Sequence, residues 1–178
     1  MTEKQEPHFP LIDYLETKKD DRGVMAALRR GLGQPPGTIY SMYRYVVPFL
    51  GDEVSFARDA AYYLVAALYA YHPMSGDLKN LGASMALLRD PKGENNDALE
   101  RRFTVLLAAH PDDLDVYLRQ AIGVLKSKDI PVNWHQLLAD VLAWGHPNRY
   151  VQRNWARAFW SRAASEPEPQ SETPSEPV

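Results

Sequence analysis

The chain has 178 residues, of which 20 are Lys or Arg and 23 are Asp or Glu, giving a formal net charge of −3, and it contains no cysteine. That length suffices for one domain or two small lobes burying roughly 70% of the surface of the unfolded chain, and the lack of cysteine excludes disulfides, cysteine nucleophiles and thiolate metal sites. No apolar run approaches the ~20 residues needed to cross a bilayer and the opening MTEKQEPHFP has no charged-then-apolar signal pattern, so a soluble, cytoplasmic protein without membrane contact is expected.

Apolar residues recur at spacings of three and four along most of the chain. The first groups are Leu11, Ile12, Leu15 and then Val24, Met25, Leu28, Leu32. Residues 43–50 are rich in Tyr and Val, yet Pro48 and the want of a partner strand favour a helix that ends or kinks there. Phe56, Tyr63, Leu64, Leu68, Tyr71 follow, then Leu78, Leu81, Met85, Leu88, then Leu99, Phe103, Leu106, Leu107. Leu114, Leu118, Ile122, Leu125 and Trp134, Leu137, Leu138, Val141 continue the pattern. It predicts an all-α chain of eight or nine helices in a bundle. Asp20, Asp52, Asp77, Asn96, Asp112 and Asn133 stand where helices should begin and can accept from unpaired backbone donors. Gly33, Pro35, Pro36, Pro73, Pro91, Pro111, Pro131 and Pro147 mark the breaks.

The stretch DPKGENN at 90–96 has no apolar residue and is the expected junction between an N-terminal lobe, 1–92, and a C-terminal lobe, 93–164, which can share one core. From 165 to 178 Pro, Glu and Ser alternate and only Val178 is apolar, the composition of a disordered acidic tail. Glu166, Glu168, Glu172 and Glu176 lie there, so residues 1–164 carry 20 basic and 19 acidic groups. Such a balance suits binding of a polyanion through one face only.

Candidate chemistry is sparse. The acid pairs Asp20/Asp21, Asp52/Glu53 and Asp112/Asp113 could run acid–base or metal chemistry, but each sits at an expected helix start, where negative charge complements the macrodipole. The histidines His8, His72, His110, His135 and His146 form no HxH, HExxH or i, i+4 pair, so no metal or other cofactor is expected. GLGQPPG at 31–37 follows a helix and lacks the lysine of a phosphate cradle. With no GxSxG elbow either, the chain is expected to have no enzymatic activity.

What remains is arginine. Arg29, Arg30, Arg44, Arg58, Arg101, Arg102, Arg119, Lys126 and Lys128 form local clusters with few neighbouring acids. Between Asp140 and Glu166, 25 residues hold no carboxylate, and there Arg149, Arg153 and Arg157 repeat at a spacing of four beside Trp144, Trp155, Phe159 and Trp160. That spacing predicts three guanidinium groups on one helical face, with an apolar face behind them. Cationic side chains with aromatic platforms can follow a nucleic-acid backbone without reading sequence. Tyr40, Tyr43, Tyr45, Tyr62 and Tyr69 could stack on bases, although core packing is the ordinary fate of tyrosines at helical spacing.

Several blocks together resemble the CasB family, the small subunit of the type I-E CRISPR Cascade complex: LRRGLG at 28–33, YRYVVPF at 43–49, NLGASMALLR at 80–89, ERRFTVLL at 100–107 and LRQAIGVLKSKDIPVNWHQLLADVLAW at 118–144. The resemblance implies an all-helical subunit without enzymatic activity, present in two copies among the other Cascade subunits. It also implies that basic surface residues help hold guide RNA, target DNA strand and displaced strand in the open R-loop. Carried over by position, Arg29, Arg30, Arg44, Arg101, Arg102 and Arg119 are the first candidates for backbone contact, and Arg58, Lys126 and Lys128 come next. The rival reading is a helical adaptor that scaffolds protein partners through its tyrosines and tryptophans.

Overall fold

The computed structural model describes residues 6–93 and 96–161; the expected tail at 165–178 lies outside the described residues. Among them are nine α-helices: α1 (Pro10–Lys18), α2 (Arg22–Arg29), α3 (Tyr43–Val46), α4 (Phe56–Tyr71), α5 (Leu81–Ala86), α6 (Asp97–Ala108), α7 (Leu114–Ser127), α8 (Trp134–Leu142) and α9 (Tyr150–Trp160). The all-α expectation holds. Residues 43–50 are helical, and Pro48 converts α3 into a 3-10 turn over Val47–Phe49 because its ring and missing N–H do not fit an α-helix interior. Strand-like pairing among the described residues is confined to one parallel bridge, Ser75 with Val132, which joins the loop after α4 to the loop before α8.

Helix α4 is the central element. It packs against α1, α2, α7 and α8, and nine of its 16 residues are buried, which accounts for a sequence apolar nearly all round. Around it, α5 lies across α9 and α6 lies beside both α7 and α9. The α5–α9 crossing is close because Gly82 has no side chain: a Cβ there would come within 2.8 Å of the Trp155 main chain. Buried residues from before and after segment 90–96 belong to one core cluster, from Leu11 and Leu68 to Trp134 and Phe159. The core tryptophans bury their rings and still place each indole N–H: Trp134 donates to the Met74 carbonyl at 3.2 Å, Trp144 to the Ala109 carbonyl at 3.1 Å and Trp155 to the Asp140 carboxylate at 2.6 Å.

Helix starts are where the sequence expectation needs most correction. Asn133 does cap α8, accepting from the Gln136 N–H at 3.0 Å. The side chains that cap α2, α4 and α5 are instead Asp21, Ser55 and Asn80, one or three residues after the expected Asp20, Asp52 and Asp77. Asn96 precedes α6 without capping it. Its amide accepts from the Asp90 N–H at 2.8 Å and donates to the Asp90 carbonyl at 3.2 Å, closing the 90–96 loop. At Pro111–Asp113 the side chain of His110, not Asp112, accepts from the Asp112 N–H.

The histidines serve the fold. His72 ends α4, buried, with Nε2 2.7 Å from the Ile130 carbonyl. His135 on α8 anchors the entry to α1: its Nδ1 accepts from the Phe9 N–H at 3.0 Å, and its ring stacks on His8 at 5.2 Å. Burial, partly offset by Asp13, lowers the His135 pKa below 6.5. The unfolded chain therefore binds the proton first as pH falls, so this stabilisation is complete above pH 6.5 and declines as pH drops through the folded-state value. Thermal melts across this range should show the decline, and His135→Gln should flatten it; an unchanged profile would remove His135 from the linkage.

Candidate nucleic-acid interface

Most of the expected basic residues reach solvent; Arg58 is half-buried and the other eleven are exposed. Among the described residues none of the twelve forms an ion pair with a carboxylate; the pairs found there are Arg89 with Glu100, and His8, His110 and His135 with nearby aspartates. Their charge is thus available to an external ligand.

Two of them line one groove, and a third stands beside it. An open cavity of about 730 Å³ runs between α6 and α7, lined by Arg102, Arg119, Tyr117 and Tyr71, with Leu99 and Leu106 at its floor. Lys126, two turns after Arg119 on α7, lies over the ring of the groove residue Tyr71 at 4.1 Å from its centroid, a cation–π contact that holds the ammonium beside the groove. Arg119 rests over Gly33, which has φ +70° and whose missing Cβ makes room for the guanidinium. Leu32 lines the same groove, so the end of α2 with Arg29 and Arg30 leads to it along two or three residues of chain. Sequence reasoning missed Tyr71 and Tyr117 here. The available signal was Gly123, a glycine inside an otherwise regular helix, which lines the groove four residues after Arg119 and leaves space beside Tyr71.

The adjacent pair Arg101–Arg102 divides. A helix turns by about 100° per residue, so Arg101 leaves the groove and lines a separate hollow with Asp97, Glu100, Thr104, Val105 and Trp160. Helices α6 and α9 run antiparallel, since Phe103 stacks on Phe159 at 4.2 Å while Arg149 reaches Leu107 at the other end. Arg153, Arg157 and Trp160 follow at four and three residues on the exposed side of α9, toward the same end as Arg101.

The expected three-arginine stripe is corrected at its first member. Arg149 has φ +51° and precedes the helix, and its Nη2 donates to the Leu107 carbonyl at 2.9 Å, satisfying an end of α6. Arg44 and Arg58 each lie over a tyrosine, Tyr45 at 5.3 Å and Tyr62 at 5.5 Å, and Arg58 stands beside Gly51. Lys128 ends α7. Of the tyrosines considered for stacking, Tyr62 and Tyr69 are core residues, and Tyr40 is exposed. Among the described residues no group of three or more His, Asp or Glu side chains is placed to hold a metal ion, and no helix is long and apolar enough to cross a membrane.

Residues 24–160 match the family described as CRISPR-associated protein Cse2. The chain belongs to the Cse2 family. A Cse2 protein of Thermus thermophilus is 38% identical over 160 residues, 89% of this chain and 90% of that relative. The crystal structure of CasB from Thermus thermophilus superposes with a TM-score of 0.75 at 31% identity, covering 87% of this chain and all of the other. A chain of a CRISPR RNA-guided surveillance complex matches with a TM-score of 0.73 at 30% identity, over 84% and 88% of the two chains. The resemblance drawn from the sequence blocks is borne out at the level of family and all-helical fold, and all five blocks lie within the Cse2 match.

Proposed function

We propose that this chain is the small, non-catalytic subunit of a CRISPR RNA-guided surveillance complex, and that it steadies the open R-loop by holding nucleic-acid backbone. The observation that carries this reading is the groove between α6 and α7, which Arg102 and Arg119 line with Tyr71 and Tyr117, with Lys126 beside it over Tyr71 and none of the three cations in an ion pair among the described residues. Likeness over most of its length to a chain of a surveillance complex supports the assembly. In this reading the partners are guide RNA, target strand, displaced strand, the other subunits and a second copy of the chain, in the cytoplasm. Both proposed lobes contribute to the groove, Leu32, Tyr71 and Met85 from 1–92 and residues of α6 and α7 from 93–164. Arg101 with the exposed Arg153 and Arg157 provides a second backbone contact.

Opening a duplex against a guide exchanges one duplex for another of similar stability, so modest contacts to separated strands tip the balance. Near-neutral charge over residues 1–164 suits a subunit that its neighbours deliver to the DNA. The test is to reconstitute the complex with and without this chain and measure target retention against salt. Omission should shorten retention and make the salt dependence shallower. Equal retention in both preparations would rule the reading out and leave the adaptor role.

A further inference from the structure

A second groove has the opposite character. About 610 Å³ in volume, it lies between α4, the turn from α6 to α7 and the end of α8, and its walls include Phe56, Leu64, Pro111, Leu114, Leu142 and Trp144. Phe56 is 83% exposed at its edge, Val54 two residues earlier is 91% exposed and Leu142 is 38% exposed. Contiguous exposure of large apolar side chains around a concave surface marks a place where another molecule covers them. The charged residues lining it are Asp112 and Asp115; among the described residues no Lys or Arg lines it. Asp52 and Glu53 add charge of the same sign just before Phe56.

We infer that this groove docks a segment of a neighbouring protein subunit carrying a large apolar side chain flanked by lysine or arginine. The inference rests on the subunit reading given above. Charge complementarity selects the occupant: a phosphate backbone meets carboxylates here and is repelled. Residues 165–178 of the chain itself, with four glutamates and no base, are excluded for the same reason. An apolar anchor fits the space between Phe56 and Leu142, and a base beside it pairs with Asp112, whose carboxylate is largely exposed.

The experiment titrates fluorescently labelled chain into the surveillance ribonucleoprotein assembled without it, with guide RNA present and target DNA absent. Phe56→Asp should weaken joining by about tenfold or more, because it removes an apolar wall from the partner's anchor and sets a carboxylate against it. Asp112→Lys should weaken it by roughly threefold and diminish its salt dependence. Both substitutions are at exposed positions, so circular dichroism should report unchanged helix, and binding of a single-stranded oligonucleotide by the free chain should stay at the wild-type level. Variants that join as tightly as wild type overturn this inference alone. Disruption by Phe56→Asp of a dimer of the free chain, seen by sedimentation, also overturns it, by making a second copy the occupant. Failure of the wild-type chain to join overturns both this inference and the subunit reading.

Discussion

Replacing Gly82 with alanine is expected to lower the melting temperature by roughly 4–8 °C, equivalent to a net loss of about 2 kcal/mol in a chain of this size. The new Cβ would overlap the Trp155 carbonyl oxygen and stand 2.8 Å from both the Trp155 Cα and its carbonyl carbon. These are main-chain atoms of α9, so relief requires α5 and α9 to separate, and overpacking of this kind costs about 3 kcal/mol. Alanine returns about 1 kcal/mol through its better helix propensity, which leaves the steric cost dominant. Gly123→Ala is the control. Its nearest neighbour is the Tyr71 hydroxyl at 3.4 Å, an ordinary contact. There the propensity gain should prevail, leaving stability unchanged or raised by up to ~1 kcal/mol. Urea or thermal unfolding of the two variants decides the matter, and similar midpoints would contradict the close crossing of α5 and α9.

Substituting Arg102 and Arg119 together by alanine should weaken target retention by the assembled complex about thirtyfold, on roughly 1 kcal/mol per exposed charge-assisted contact. The dependence of log affinity on log salt should become shallower by about 1.4–1.8, since each lost phosphate contact removes ~0.7 for single strands and ~0.9 for duplex. Lysine at both positions should restore most of the salt slope while recovering only part of the affinity, because lysine keeps the charge without the planar fork. Both arginines are exposed and make no ion pair among the described residues, so the helical fold should survive. A salt slope that matches wild type in the alanine variant would take these residues out of the interface.

Helices were legible because burial imposes a period that repeats many times in each element: Phe103 and Leu106, or Leu118, Ile122 and Leu125, can share a core only on a helix. Caps were less legible. Asp20 and Asp21, or Asp52 and Ser55, carry similar acceptors within a few residues of each other, and only an extended backbone at the capping position selects one. The site was legible in composition but not in azimuth. Arg101 and Arg102 are neighbours in the chain, yet they line different cavities. Arg149 keeps the spacing of Arg153 and Arg157, but the turn at Pro147 and Asn148 postpones the helix, with Asn148 accepting from the Tyr150 N–H at 3.1 Å, so the count of four no longer places Arg149 on the same face. The acid-edged groove was invisible in sequence, since Phe56, Asp112 and Leu142 come from three separate segments.

The seat of α5 on α9 also sets an order of events during synthesis. Gly82 and Trp155 are 73 positions apart, so the face of α5 that seats on α9 has no counterpart until the ribosome has passed Trp155. At roughly 5–20 residues per second that delay is about 4–15 s. During that interval α5, whose Leu81 and Met85 are buried in the folded protein, lacks the helix α9 against which it packs, and the nascent chain depends on early shielding, by α7 or by a chaperone, to stay free of off-pathway association.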